Sequence, residues 1–112
     1  MYGKEIRMSR LFSGGRNAVI IAIDHGMFDG PIPGMINLQE TITRISPAVD
    51  GILISPGMLT VCRKAFSYGG APVPIVRINW SDVYCFHWNY NQANTVVASS
   101  VEDAVSAGAE IV

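Results

Sequence analysis

The sequence predicts a parallel α/β fold built from successive strand–helix units, with the character of the opening part of a larger parallel barrel. Three observations carry that expectation. Val19-Ile20-Ile21-Ala22-Ile23 is an apolar run, four of its five residues β-branched, that stops abruptly at Asp24-His25-Gly26. Stiff β-branched side chains suit a pleated backbone, and the absence of polar alternation suits a strand buried on both faces, as in parallel sheets. Downstream, strand and helix signals alternate in the manner of repeated right-handed βαβ units. Lastly, residues 109–112 read as the start of a fourth strand, which fits the front of a barrel better than a completed doubly wound sheet.

Taken in order, residues 4–12 suit a short helix, with Ile6, Leu11 and Phe12 apolar among Arg7, Ser9 and Arg10. Ser13-Gly14-Gly15-Arg16-Asn17 is a turn cluster that delivers the chain into the first strand. After Gly26 comes Met27-Phe28-Asp29-Gly30-Pro31-Ile32-Pro33-Gly34, expected to be a shaped, non-helical loop overhanging the strand's end. Asn37 and Glu40 then stand at capping-box spacing, and Leu38, Ile42 and Ile45 recur at i, i+4 and i+7. This pattern predicts an amphipathic helix over residues 38–46, stopped by Pro47.

Gly51-Ile52-Leu53-Ile54 is the second apolar strand and ends at Ser55-Pro56-Gly57. A helix over residues 58–66 offers Met58, Cys62, Ala65 and Phe66 to a core, and a third strand covers residues 73–79. From Trp80 to Thr95 periodicity is lost, and Trp80, Tyr84, Phe86, His87, Trp88 and Tyr90 crowd among asparagines. That stretch is too long for a plain connector and reads as a lid, a binding loop or an oligomer contact. Ser100-Val101-Glu102-Asp103 opens a final helix with a capping-box spacing, its apolar stripe being Val101, Ala104 and Val105 and its terminator Gly108.

Composition narrows the function classes. At 112 residues and 49% hydrophobic, residues 1–112 fit one modest core, read as the amino-terminal portion of a single domain. A net charge of −1 with no basic stripe gives no footprint for nucleic acid and no polybasic membrane anchor. Cys62 and Cys85 lie outside any CxxC spacing, which argues against a disulfide scaffold or structural zinc. The first residues lack the apolar core of a signal peptide and no stretch is long enough to span a bilayer, so a cytoplasmic location is expected.

Chemistry is expected at the carboxyl ends of the strands, the site face of parallel α/β folds. Asp24 is the candidate catalytic group there; its plainer alternative is to cap the amides of a neighbouring loop. His25, Ser55 and Asn79 are the candidate substrate-binding residues. Each has a structural alternative: an imidazole satisfied by a loop carbonyl for His25, turn and capping duty for Ser55 and Asn79. Asp82, just past the third strand, carries the same ambiguity. Asp24, His25 and His87 lack the spacing of a metal site, and none is expected.

Met8-Ser9-Arg10-Leu11-Phe12, Ile23-Asp24-His25-Gly26, Gly30-Pro31 and Ser100-Val101-Glu102-Asp103-Ala104-Val105 before Gly108-Ala109 resemble the opening half of the DeoC/FbaB family of class I aldolases. That family includes archaeal-type fructose-bisphosphate aldolases and the autoinducer-2 degrading thiolase. The resemblance implies a (β/α)8 TIM barrel, of which this chain supplies roughly the first three to four βα units. It also implies a carbon–carbon lyase acting on a phosphorylated sugar, without metal or other cofactor. In such an enzyme a lysine condenses with the substrate carbonyl, and the protonated imine is the electron sink for bond cleavage. Asp24 matches the family's first-strand aspartate, which positions the amine, the carbinolamine or substrate hydroxyls.

The family's imine-forming lysine, its proton-transfer tyrosine and its phosphate-binding loops all belong to later strands, beyond Val112. Lys4 and Lys64 are the lysines present, one ahead of the barrel and the other on the second helix. This segment alone is therefore expected to be inactive. The resemblance leaves a thiolase or an aldol-type synthase open as the reaction. A different class also stays open: a non-catalytic half-barrel that self-associates to cover its open sheet edges, so that a homo-oligomer is expected in either case.

Overall fold

The computed structural model of the chain describes residues 2–13, 15–45, 48–83 and 92–112. Helix α1 (Tyr2–Leu11) leads into strand β1 (Ile20–Ala22), the short helix α2 (Gly26–Asp29) and helix α3 (Leu38–Ile45). Strand β2 (Gly51–Ile54), helix α4 (Pro56–Val61), a 3-10 segment (Arg63–Phe66) and strand β3 (Val73–Val76) follow. Strands β4 (Asn79–Ser81) and β5 (Thr95–Val97) and helix α5 (Val101–Ser106) complete the order.

The strands β1, β2 and β3 form a parallel sheet in that spatial order, with Ile21 opposite Ile52 and Leu53 opposite Ile75. A single parallel bridge, Ile75 to Ile111, adds the fourth position beside β3, as the apolar ending of the sequence anticipates. Within the parallel sheet the order in space follows the order in sequence, with the β4–β5 ribbon inserted between β3 and Ile111. Doubly wound sheets reverse strand order at a switch point, whereas this run advances in one direction, consistent with a partial TIM-barrel-like unit.

The core draws Ile52 and Ile54 from β2, Val76 from β3, Ile42 from α3 and Cys62 from the turn after α4, all essentially without solvent contact. Helix α3 forms where the spacing places it. The Asn37 side chain accepts from the Glu40 N–H at 3.3 Å, and Glu40 pairs with Arg44 one turn on. Helix α5 is capped in the same way, Ser100 Oγ accepting from the Asp103 N–H at 3.0 Å. Its stripe is narrower than expected: Ala104 is buried, whereas Val101 and Val105 are exposed.

Several expectations are corrected. Strand β1 is not buried on both faces: Val19 and Ile20 are about half exposed, because β2 alone flanks β1 among the described residues. The overhanging loop is partly helical, since Gly26–Asp29 closes one turn on the His25 carbonyl. The helix expected over residues 58–66 begins earlier, at Pro56, whose fixed φ suits a first turn, and breaks at Cys62 into 3-10 geometry. Residues three apart eclipse in a 3-10 turn, so Cys62 and Ala65 both reach the core. The third strand ends at Val76, and Asn79 belongs instead to an antiparallel ribbon in which Trp80 faces Val96 and Ser81 faces Thr95. The ends of the expected loop therefore form this ribbon. Tyr84, Cys85, Phe86, His87, Trp88 and Tyr90 fall outside the described residues, as do Ser46 and Pro47. No helix among the described residues is long and apolar enough to cross a membrane.

Candidate active site

The site is built by the parallel ladder. The Ile23 N–H donates to the Leu53 carbonyl at 2.9 Å, which holds the chain in register up to the residue before Asp24. The Asp24 carbonyl then accepts from the Met27 N–H at 3.0 Å, and the backbone turns into α2. Asp24 is only 5% exposed, and a carboxylate removed from water needs a partner. Arg77, the residue after β3, provides it: its Nε donates to Asp24 Oδ2. The guanidinium lies over the Phe28 ring, 5.2 Å from the centroid.

Asp24 and Ser55 border one cavity of about 370 Å³, walled by Ile23, Met27, Met35 and Met58. That volume falls in the range of small-molecule sites, and its polar groups in an apolar wall suit a compact ligand with hydroxyl or carbonyl functions. The pairing of Asp24 with Ser55 was legible in the strand ends. Arg77 is not among the candidates read from the sequence. The signal for it was a charged residue directly following an apolar parallel strand, at the same end as Asp24.

The other candidates are placed differently. His25 sits at the amino end of α2 with its Nδ1 buried and without a hydrogen-bond partner among the described residues, and it does not border the cavity. Asn79 pairs with Val97 in the ribbon, away from the cavity lining. Asp82 accepts from the Asn94 N–H at 2.6 Å and from its side-chain amide at 3.0 Å. Those bonds hold its carboxyl below the ordinary value and give it the role of closing the ribbon. Lys4 and Lys64 are both exposed and neither reaches the cavity. Among the described residues no three His, Cys, Asp or Glu side chains gather in one place.

A second cavity of about 390 Å³ opens by Asp50, Pro72 and Val73, at the amino ends of β2 and β3. Its charged groups are already committed, Arg10 to Glu110 and Asp50 to Arg16. The carboxyl-end cavity is the better candidate, because a buried acid, Asp24, is among the residues that border it.

No protein-family model matches the chain. Among curated proteins it is similar to an uncharacterized aldolase of Saccharolobus solfataricus, 35% identical over 100% of this chain and 42% of the relative. A 2-amino-3,7-dideoxy-D-threo-hept-6-ulosonate synthase of Halobacterium salinarum is 30% identical over 98% of this chain and 39% of its own length. A 3-hydroxy-5-phosphonooxypentane-2,4-dione thiolase of Photorhabdus laumondii is 34% identical over 52% of this chain and 20% of its own. The chain spans about two-fifths of the length of the first two relatives.

Proposed function

The chain belongs with the archaeal-type, DeoC/FbaB-like aldolases that these relatives represent, and from that premise we propose that it forms the first three to four βα units of a (β/α)8 barrel cleaving a carbon–carbon bond in a sugar phosphate. The reaction runs through a Schiff base. A lysine supplied by the remaining strands adds its amine to the ketose carbonyl, the carbinolamine loses water, and the iminium accepts the electron pair of the breaking bond. No metal takes part. The protein is a cytoplasmic homo-oligomer, and its substrate is a small phosphorylated sugar rather than nucleic acid or membrane.

The observation that supports this reading is the Asp24 carboxylate at the carboxyl end of β1, 5% exposed and bordering a cavity with Ser55. Oδ2 is taken by Arg77, whereas Oδ1 has no protein partner among the described residues. That oxygen accepts from the attacking amine, the carbinolamine hydroxyl or a substrate hydroxyl, and Ser55, which borders the same cavity, binds substrate there. His25, next to Asp24 in the chain, and Asn79, in the ribbon after β3, are the further substrate-binding candidates, and both lie outside the lining of this cavity.

Borohydride trapping of the intact protein tests the reading. Incubation with dihydroxyacetone phosphate and borohydride should give a stable adduct, reduced at the imine, on a lysine outside residues 1–112. Absence of any adduct with this phosphate or with fructose 1,6-bisphosphate removes the Schiff-base lyase. The synthase and thiolase reactions of the relatives are the nearest replacements within the family.

A second reading is favoured by β1, whose half-exposed Val19 and Ile20 leave an apolar strand at the sheet edge. In that reading residues 1–112 are a self-associating, non-catalytic half-barrel. Sedimentation of the isolated segment separates the two: a defined dimer with protected amides supports the module, and a molten or aggregating chain supports the barrel.

A further inference from the structure

Asp24 and Arg77 are set by backbone hydrogen bonds on opposite sides of β2. Ile23 is held to Leu53, and the Arg77 N–H donates to the Ile54 carbonyl at 3.1 Å, so the main chain at each end is fixed by the same central strand. What the sheet leaves undetermined is the carboxylate orientation. A free aspartate turns about χ1 and χ2, and its two oxygens exchange places.

Two contacts remove that freedom. The Arg77 Nε takes Oδ2, and the guanidinium plane is backed by the ring of Phe28, itself 8% exposed. Phe28 stands on α2, which begins immediately after Asp24 and His25. Asp24, the α2 turn, Phe28 and Arg77 therefore close a ring of contacts. A lysine could supply the charge, but it has neither the lateral Nε nor the flat face that meets an aromatic ring.

We infer that Arg77 is a positioning residue: it locks the Asp24 carboxylate so that Oδ1 is presented to the cavity between Asp24 and Ser55, with Phe28 holding the guanidinium in place. This inference rests on the catalytic reading of Asp24 given above. It adds a residue that acts through Asp24 and touches no substrate.

The test is a cycle in the intact protein, with Asp24→Asn, Arg77→Met, Arg77→Lys and the Asp24→Asn/Arg77→Met pair, and fructose 1,6-bisphosphate as the probe. Misplacing a reacting group by an ångström costs about 100-fold, so Arg77→Met should lose about 10- to 100-fold in kcat. KM should stay within about twofold, because ground-state binding is untouched. The paired variant should be no slower than Asp24→Asn, and Arg77→Lys should fall between wild type and Arg77→Met. A crystal structure of Arg77→Met, or of Arg77→Lys if the methionine variant does not fold, should show Asp24 in more than one rotamer.

Three results overturn the inference: kcat of the folded Arg77 variant equal to wild type, losses that multiply in the paired variant, or an Asp24 side chain held in its original rotamer without Arg77. If Asp24→Asn itself retains full turnover, the catalytic reading of Asp24 fails first and this inference with it. If Asp24→Asn is inactive and the Arg77 variants are not, the positioning role alone is lost. Should the probe not be turned over, the rotamer of Asp24 still decides.

Discussion

The indole nitrogen of Trp80 donates to the main-chain carbonyl of Met27 at 2.8 Å, tying the first strand of the antiparallel ribbon to the helical turn that follows Asp24. Helix α2 has only four residues and its His25 cap makes no side-chain hydrogen bond, so it lacks intrinsic stability of its own. Trp80→Phe keeps an aromatic ring and deletes the donor. It should cost about 1 kcal/mol in urea unfolding, the usual value of one hydrogen bond. Amide exchange at residues 27–29 should accelerate more than exchange in β2, and equal protection in Trp80→Phe and wild type would show the bond to be idle.

Much of this arrangement is legible in the sequence, and the reason is periodicity. Leu38, Ile42 and Ile45 mark α3, the Asn37 and Ser100 caps mark two helix starts, and the apolar strands β1 to β3 place Asp24 and Ser55 at one end of the sheet. What was not legible depends on tertiary partners. The burial of β1 is set by what flanks it, and the ribbon from Asn79 to Val97 is set by cross-strand pairs with no periodic trace. The Asp24–Arg77 pair joins residues 53 apart, and no local spacing announces a contact across an intervening strand.

Asp50 makes stability pH-dependent in a predictable direction. Its carboxyl is held below the ordinary value of 3.8, first by the Val19 N–H, which it accepts at 2.8 Å, and then by Arg16. With the folded pKa depressed, the unfolded chain binds more protons at acid pH. The contribution is therefore full above 3.8 and is lost as pH falls through the lower folded value. Asp50→Asn should flatten the acid limb of an unfolding-midpoint against pH curve. Arg16→Gln should do so less, because Arg16 is 63% exposed and screened by salt. An identical acid limb in Asp50→Asn and wild type would contradict this assignment.

Gly51 opens β2 at a point with no room for a side chain. A Cβ there would stand 3.0 Å from both Ile75 Cδ1 and Leu11 Cδ1, and 3.4 Å from Ile20 Cγ1. Gly51→Ala should therefore destabilise by about 1–2 kcal/mol through overpacking. The terminal methyl of Leu11 is one of the two close atoms, so a Leu11→Ala background should absorb part of the cost. Unfolding midpoints of the two single variants and the pair measure that coupling, and strictly additive losses would mean that the clash is relieved elsewhere.

The Asp24–Arg77 pair should respond asymmetrically to the loss of each partner. Asp24 is 5% exposed and Arg77 23%, so a guanidinium left alone can still reach water while a carboxylate left alone cannot. Arg77→Met strands the carboxylate and should cost about 3 kcal/mol, the low end for breaking a buried pair. Asp24→Asn keeps the shape and leaves the better-hydrated partner, so it should cost about 1 kcal/mol, on the scale of a single hydrogen bond. The Asp24→Asn/Arg77→Met pair removes both charges and should be more stable than Arg77→Met alone. Chemical denaturation of the intact protein reads all three. Equal losses from the two single variants would mean that Asp24 reaches water through its cavity as readily as Arg77 does. In that event the carboxylate has no need of its arginine for stability, and the role left to Arg77 is the orientation inferred above.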